Sequence, residues 1–324
     1  MTLPMVVASS AAVATPGLSQ GPLEWKGSHA NLESPVTGVF GIGRDLFAVG
    51  PGALNQSHDG GKEWTHGPPG GTAIWGASMD ELWIAGSGVI RSTDRAQTWH
   101  RMSVPASTRF ETIGGRASDV IAGGVGALVH STDHGATWTP IQHGITDATF
   151  IAIATSGAET FVVGREQVKD PASSIGYHTE SIILRSRDGT TYERLAAPKP
   201  GMTDNEESRG VCFTASGKLL LAMSYSVFAS TDRGATWARA TEVGTEVLGL
   251  ACHGKEVMTV GRNKRFLRST DDGTTWSSHD LDTVLPGAEL IALNGVWIGA
   301  DGTALVSGES YSKEGGGTLL VRAR

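Results

Sequence analysis

Apolar residues recur along this chain in a fixed phrase: a short apolar run, a polar turn, then a second apolar run that ends on glycine. Residues 39–50 read VFGIGRDLFAVG, residues 74–86 read IWGASMDELWIAG, and residues 296–308 read VWIGADGTALVSG. Short apolar runs bounded by Gly, Asp and Ser are the pattern of buried strands, and tight polar links between them predict hairpins. We name these two strands a and b. A third apolar stretch, c, and a fourth, d, follow, and a polar motif separates them.

That motif is an internal repeat, the first thing to seek in a chain of this kind. It reads STDHGATW from Ser131 to Trp138, STDRGATW from Ser230 to Trp237 and STDDGTTW from Ser269 to Trp276. Looser copies are SHDGGKEW from Ser57 to Trp64 and STDRAQTW from Ser92 to Trp99; SRDGTTY, from Ser186 to Tyr192, is one residue short. The pattern suits a hairpin turn. The Asp carboxylate accepts hydrogen bonds from N–H groups of the loop that follows it. The Gly takes a backbone angle that other residues resist, and the Trp places a large ring between neighbouring sheets. Ala96 replaces the Gly in the second copy, which predicts a strained or altered turn there.

These segments resemble the Asp-box, or BNR, repeat of the WD40/YVTN/BNR-like propellers. Sialidases, sortilin-type receptors, xyloglucanase-type glycosidases and photosystem II stability/assembly factors carry it. The resemblance covers nearly the whole chain. It implies an all-β propeller of four-stranded antiparallel blades, with the box on the turn between the third and fourth strands. It also implies structural roles for Asp59, Asp94, Asp133, Asp188, Asp232 and Asp271. Relatives of this kind share a scaffold and not a chemistry.

The box aromatics at 64, 99, 138, 192, 237 and 276 are spaced by 35, 39, 54, 45 and 39 residues. Each spacing fits one blade. After Gly308 a loop leads to residues 318–323 (TLLVRA), which read as a strand c with no box after it. Residues 23–27 (LEWKG) carry Trp25 with no box before it. The expectation is therefore seven blades, the last completed by the N-terminal strand pairing with residues 318–323. Such closure leaves no free sheet edge on the ring. Residues 22–324 then form one domain, and residues 1–21, rich in Ala, Ser and Pro, form a leader or disordered tail.

Composition narrows the function classes. The chain has 324 residues, 44 of them Gly, and only 18% are charged. The net charge of −7 argues against bulk binding to a phosphate backbone, which needs a basic face. The two cysteines, Cys212 and Cys252, align at different positions of neighbouring blades and are expected to be unbonded core fillers. Ala12-Val13-Ala14 could pass for a cleavage site, but no Lys or Arg precedes Lys26, so the positive region of a secretion signal is missing. Location is left open between cytoplasmic and exported. No apolar stretch is long enough to span a bilayer as a helix. The ten histidines have no metal-ligand spacing, and no nucleotide fingerprint is present, so no metal and no cofactor is expected.

In propellers generally, the b–c and d–a links share one face, at the mouth of the central channel, and that face does the work. The b–c links of blades one to three are minimal, whereas those of blades four to seven are elaborated. They are residues 165–181 (REQVKDPASSIGYHTES), Ser224-Tyr225-Ser226, Arg262-Asn263-Lys264-Arg265 and residues 309–316 (ESYSKEGG). The long link of residues 196–209 joins them. Long loops in a compact repeat fold often carry function. The candidate binding residues are Tyr177, His178, Arg209, Tyr225, Arg262, Arg265 and Tyr311, read as a surface of cations and aromatics. The favoured reading is a monomeric, non-catalytic binding or assembly propeller that recognises a protein segment or polar ligand at the mouth. The alternative is a sialidase-like glycoside hydrolase, or another small-molecule enzyme or sugar binder, on the same face. For a hydrolase, Arg109, Arg209 and Arg262 with Glu111, Glu246 or Glu289 would supply the groups.

Overall fold

A computed structural model of the chain describes residues 25–32, 35–106, 108–199, 207–279, 290–310 and 317–322. It is an all-β propeller built of four-stranded antiparallel blades. Six blades are continuous in sequence, at residues 38–67, 73–101, 110–140, 148–194, 208–242 and 247–278, each ordered a-b-c-d from the axis outward. A further sheet is composite. Its strands Leu290–Ile298, Ala304–Ser310 and Gly317–Arg322 are followed, at the outer edge, by Trp25–Leu32 from the other end of the chain. The innermost strand of every sheet packs on that of the next, and Leu290–Ile298 packs on both Val247–His253 and Gly38–Ile42, which closes the ring.

Sheets stacked face to face bury both sides of their inner strands. This is why strands a and b read as almost unbroken apolar runs. In the second blade, Glu81–Ala85 is buried at every residue, whereas the outer strand His100–Arg101 is exposed. The composite sheet follows the expected pairing: Trp25 lies opposite Arg322, Lys26 opposite Val321 and Gly27 opposite Leu320, and the strand continues to Leu32. Trp25 is buried, with its ring edge-on to Phe266 of the neighbouring blade at 5.5 Å.

Each repeated motif closes the turn between strands c and d by one hydrogen-bond scheme. In the third blade, Ser131 Oγ donates to Asp133 Oδ1 (2.8 Å) and accepts from Gly135 N–H (2.8 Å). Asp133 accepts from Thr137 N–H (2.8 Å) and the Thr137 hydroxyl (2.6 Å), while Trp138 Nε1–H donates to Gly135 O (3.0 Å). Asp59, Asp94, Asp188, Asp232 and Asp271 accept equivalent bonds. Gly135 has φ +79°, and a methyl added there would meet the Trp83 ring of the second blade at 2.3 Å. Ala96 holds the same left-handed angle, φ 67°, in the second blade, so the Gly-to-Ala change leaves the turn's shape in place at a conformational cost.

These bonds hold the box carboxylates well below their usual range. Asp133 lies at about 2, chiefly through the Thr137 hydroxyl; Asp94 and Asp232 also lie at about 2, through Thr98 and Thr236. Burial opposes the same effect at Asp271, but the Thr275 bonds outweigh it and hold that group at about 2. A folded-state pKa below the unfolded value of about 3.9 stabilises the fold above that pH, and the contribution is lost as pH falls towards 2. Melting temperature should therefore drop between about pH 4 and pH 2. Asp133→Asn should melt lower at pH 7 and show a shallower acid decline, measured by circular dichroism; an unchanged acid limb would count against this assignment.

Two expectations are corrected. Cys212 and Cys252 form a disulfide, with Cα atoms 5.8 Å apart. Turn lengths differ between blades five and six, so alignment by loops misplaced them. In fact each is the penultimate residue of an innermost strand, Ser208–Phe213 and Val247–His253, and these strands are neighbours. Residues 165–181 are also not a loop. They are the far end of a long hairpin formed by Glu159–Lys169 and Tyr177–Ser186, paired in unbroken register from Thr160↔Ser186 to Lys169↔Tyr177. The two halves of the insertion, REQVK and YHTES, complete each other's ladder, so only the tip around Asp170–Gly176 turns.

Candidate functional site

Antiparallel order places the b–c and d–a links of every blade at one end of the ring and the boxes at the other. On the box end, carboxylates that open strand b of one blade meet an Arg or His side chain from the next blade's box. Arg95 reaches Asp45 (3.5 Å), His134 reaches Glu81 (2.8 Å) and Arg233 reaches Glu159 (3.2 Å). These inter-blade pairs give that rim a structural role.

The other end, the channel mouth, carries a chain of alternating charges across blades three to six. Arg109 Nε lies 3.0 Å from Glu111. Arg165 Nη1 lies 2.8 Å from Glu207, and Glu207 is 3.4 Å from Arg209. Arg209 Nη2 then bonds Glu246 (2.7 Å), which also takes Arg262 Nε (2.5 Å). The innermost strands set this spacing, because Arg109, Glu111, Glu207, Arg209 and Glu246 sit at or beside the strand starts, while Arg165 lies midway along the long strand Glu159–Lys169 and Arg262 just past the end of its strand b. Burial pushes the Glu111 carboxyl up, against the pull of Arg109 and Arg165. Its Oε2 has no hydrogen-bond partner among the described residues.

The structure brings some of the sequence-predicted residues together. Arg209 and Arg262 share Glu246. Arg265 donates to Val243 O (2.9 Å), and the Tyr225 carbonyl accepts from Val243 N–H (2.8 Å), so these two meet at one link. Tyr177 and His178 stand apart on the projecting hairpin. His178 faces Asp170 (3.5 Å) and Glu180 (3.1 Å), and the Glu180 hydrogen bond raises its pKa above the usual range. Tyr311 and Glu289 lie outside the described residues, as do residues 1–21 and parts of the 196–209 and 309–316 loops.

The expected surface of cations and aromatics differs in one respect: Arg209 and Arg262 both engage Glu246, which the sequence reading named only for the hydrolase alternative. Glu207 was missed altogether, as was Arg165 as a member of this set. A signal was present in the alternation charged–buried–charged at strand starts, Arg109-Phe110-Glu111 and Glu207-Ser208-Arg209. Val125 and Ile175 were missed too. Together with Tyr177 and Tyr225 they are the exposed large hydrophobics among the described residues, at 53, 64, 37 and 46% exposure. All four lie on the mouth face of blades three to five. Among the described residues no group of three or more His, Cys, Asp or Glu is placed to hold a metal ion.

No family model matches this sequence, and no curated protein matches it. Solved structures do resemble it. A structure of YCF48 bound to a D1 peptide superposes with a TM-score of 0.67 at 19% identity, over 96% of this chain and 100% of that one. YCF48 from Cyanidioschyzon merolae gives 0.66 at 16% identity, over 92% and 98%. The GH74 xyloglucanase of Xanthomonas campestris gives 0.61 at 15% identity, over 90% of this chain but 54% of the enzyme. At these identities the likeness establishes the propeller fold.

Proposed function

We propose that this chain is a non-catalytic binding or assembly propeller that recognises a protein segment at its channel mouth. The observation that carries the reading is that the exposed large apolar side chains among the described residues, Val125, Ile175, Tyr177 and Tyr225, all lie on the face that also bears the Arg–Glu arc. Exposed apolar groups gathered on one face mark interaction surfaces, and Arg and Tyr supply forked hydrogen bonds and contact area there. The structural likeness to YCF48 bound to a D1 peptide supports the same reading. So does the engagement of Glu207 and Glu246 by arginines, which leaves them poorly suited as a free carboxylate pair for glycoside hydrolysis. Tyr177, His178, Arg209, Tyr225, Arg262, Arg265 and Tyr311 are the proposed contact residues.

Two finer readings belong with this one. The composite sheet counts as a seventh blade of one propeller spanning residues 22–324, which acts as a monomer, and the c–d turns of the other six blades are Asp-boxes of the BNR type. The shared Ser–Asp–Gly hydrogen-bond scheme supports the second.

The test compares wild type with a variant whose 165–181 hairpin is cut to Gly-Ser-Gly and whose Arg262 and Arg265 are Ala. A box-rim variant, Arg95→Ala, is the control. In quantitative pull-downs from lysate of the source organism, the mouth variant should lose at least tenfold of the captured partner, and the control should lose none. Equal capture by both folded variants would overturn the proposal.

A further inference from the structure

The mouth face holds a cavity of about 400 Å³ beside the third blade. Its origin is local. The outer strand of that blade is Thr139–Pro140, two residues long. The chain makes one more bond, Ile141 N–H to Leu128 O (2.8 Å), then turns away through residues 142–147. A gap is left between this link and Pro105-Ala106 of the preceding link. Leu128, Val129 and Ile141 are buried and form its apolar lining with Pro105, Ala106 and Ile145. No described residue lining it carries a fixed charge. His143 also lines it. Its Nδ1 accepts from Ile145 N–H (3.2 Å), which leaves Nε2–H as its donor, and burial holds its pKa below the usual range, so the ring is neutral.

The cavity adjoins, through the backbone, the link that begins the charged arc. Gly126 lines it, and the adjacent Val125, exposed at the surface, bonds through its N–H to Arg109 O (3.3 Å). Arg109 is the first member of the arc; its side chain is 44% exposed and has one carboxylate partner, Glu111. A partly apolar cleft therefore adjoins the link that carries Arg109, and an extended segment seated in it advances about 3.3 Å per residue.

We propose that this cavity takes the bulky apolar side chain of an extended protein segment whose acidic residue pairs with Arg109, about two to four positions away. The proposal rests on the mouth-binding reading and specifies the segment. Its recognition logic is an anchor side chain seated against Leu128, Val129 and Ile141 with a charged contact at the rim, the kind of arrangement in which interface energy concentrates.

The test is selection of random linear dodecapeptides displayed on phage against the intact protein. Selected sequences should pair Leu, Met, Phe or Trp with Asp or Glu at that spacing. A synthetic copy of the most enriched peptide, labelled for fluorescence anisotropy, should bind at least tenfold more weakly to Ala127→Phe, which fills the cavity, and several-fold more weakly to Arg109→Ala. If Ala127→Phe fails to fold, Thr146→Trp at the cavity rim serves the same purpose. Peptides that need Arg109 but bind Ala127→Phe and Thr146→Trp as well as wild type would overturn this inference and leave the mouth reading standing. Peptides indifferent to Arg109, Arg209 and Arg262 alike, or an empty selection, would overturn both.

Discussion

Deleting residues 1–29 is expected to abolish cooperative folding, whereas deleting residues 1–18 should leave the melting transition nearly unchanged. The long deletion removes Trp25–Gly27, and with them the pairing to Leu320–Arg322 that completes the composite sheet. It leaves Gly317–Arg322 without the strand that pairs its outer side, and newly unpaired edges drive aggregation. It also removes Trp25 from the cluster it shares with Val260, Phe266, Val296 and Val306. The milder variant Trp25→Ala should fold and lose about 3–5 kcal/mol, the usual cost of emptying an aromatic core site. Chemical denaturation of the three variants checks this. A 1–29 deletion that melts like the full chain would show that the outer strand is dispensable.

Loss of the Cys212–Cys252 bond should have the second largest effect. The two residues are 40 apart in sequence, and a cross-link closing a loop of that length restricts the unfolded chain by about 4 kcal/mol at 25 °C. Both residues are buried, so replacing them with Ser would add the separate cost of burying hydroxyl groups. Cys212→Ala/Cys252→Ala is the cleaner variant. It should lower stability by most of that amount, and reductant added during refolding should lower the wild type to a similar level while leaving the double variant unaffected. Equal stability of oxidised wild type and double variant would show that the link does not contribute. The bond joins blades five and six near the box ends of their inner strands, and the Arg209–Glu246 pair joins the same strands at the mouth. The ring beneath Tyr225 and Arg262 is thus tied at both ends.

Much of the scaffold was legible from residues close in sequence. A box closes on itself within eight residues, because Ser131, Asp133, Gly135 and Thr137 satisfy one another's hydrogen bonds before any other blade is needed. The apolar a–b phrase is likewise local, since sheets stacked on both sides demand apolar residues on both faces of each inner strand. Closure through Trp25 followed from counting, as the last blade lacked one strand and the N-terminal end of the periodic chain had one to spare. What the sequence concealed depends on how neighbouring blades align. The pairs Cys212–Cys252, Arg165–Glu207 and Arg209–Glu246 are about one repeat apart, 40, 42 and 37 residues. They meet only because neighbouring blades bring corresponding ends of their inner two strands side by side, and variable turn lengths hide that correspondence in one dimension. The hairpin of residues 165–181 looked like a loop because its polar residues face water at the ladder's end. The cavity by Pro140 has no motif at all, since it is the space left between two links. Local hydrogen bonding and periodicity therefore determined the blade and the ring from sequence alone, while packing between blades decided the disulfide, the charge arc and the cavity.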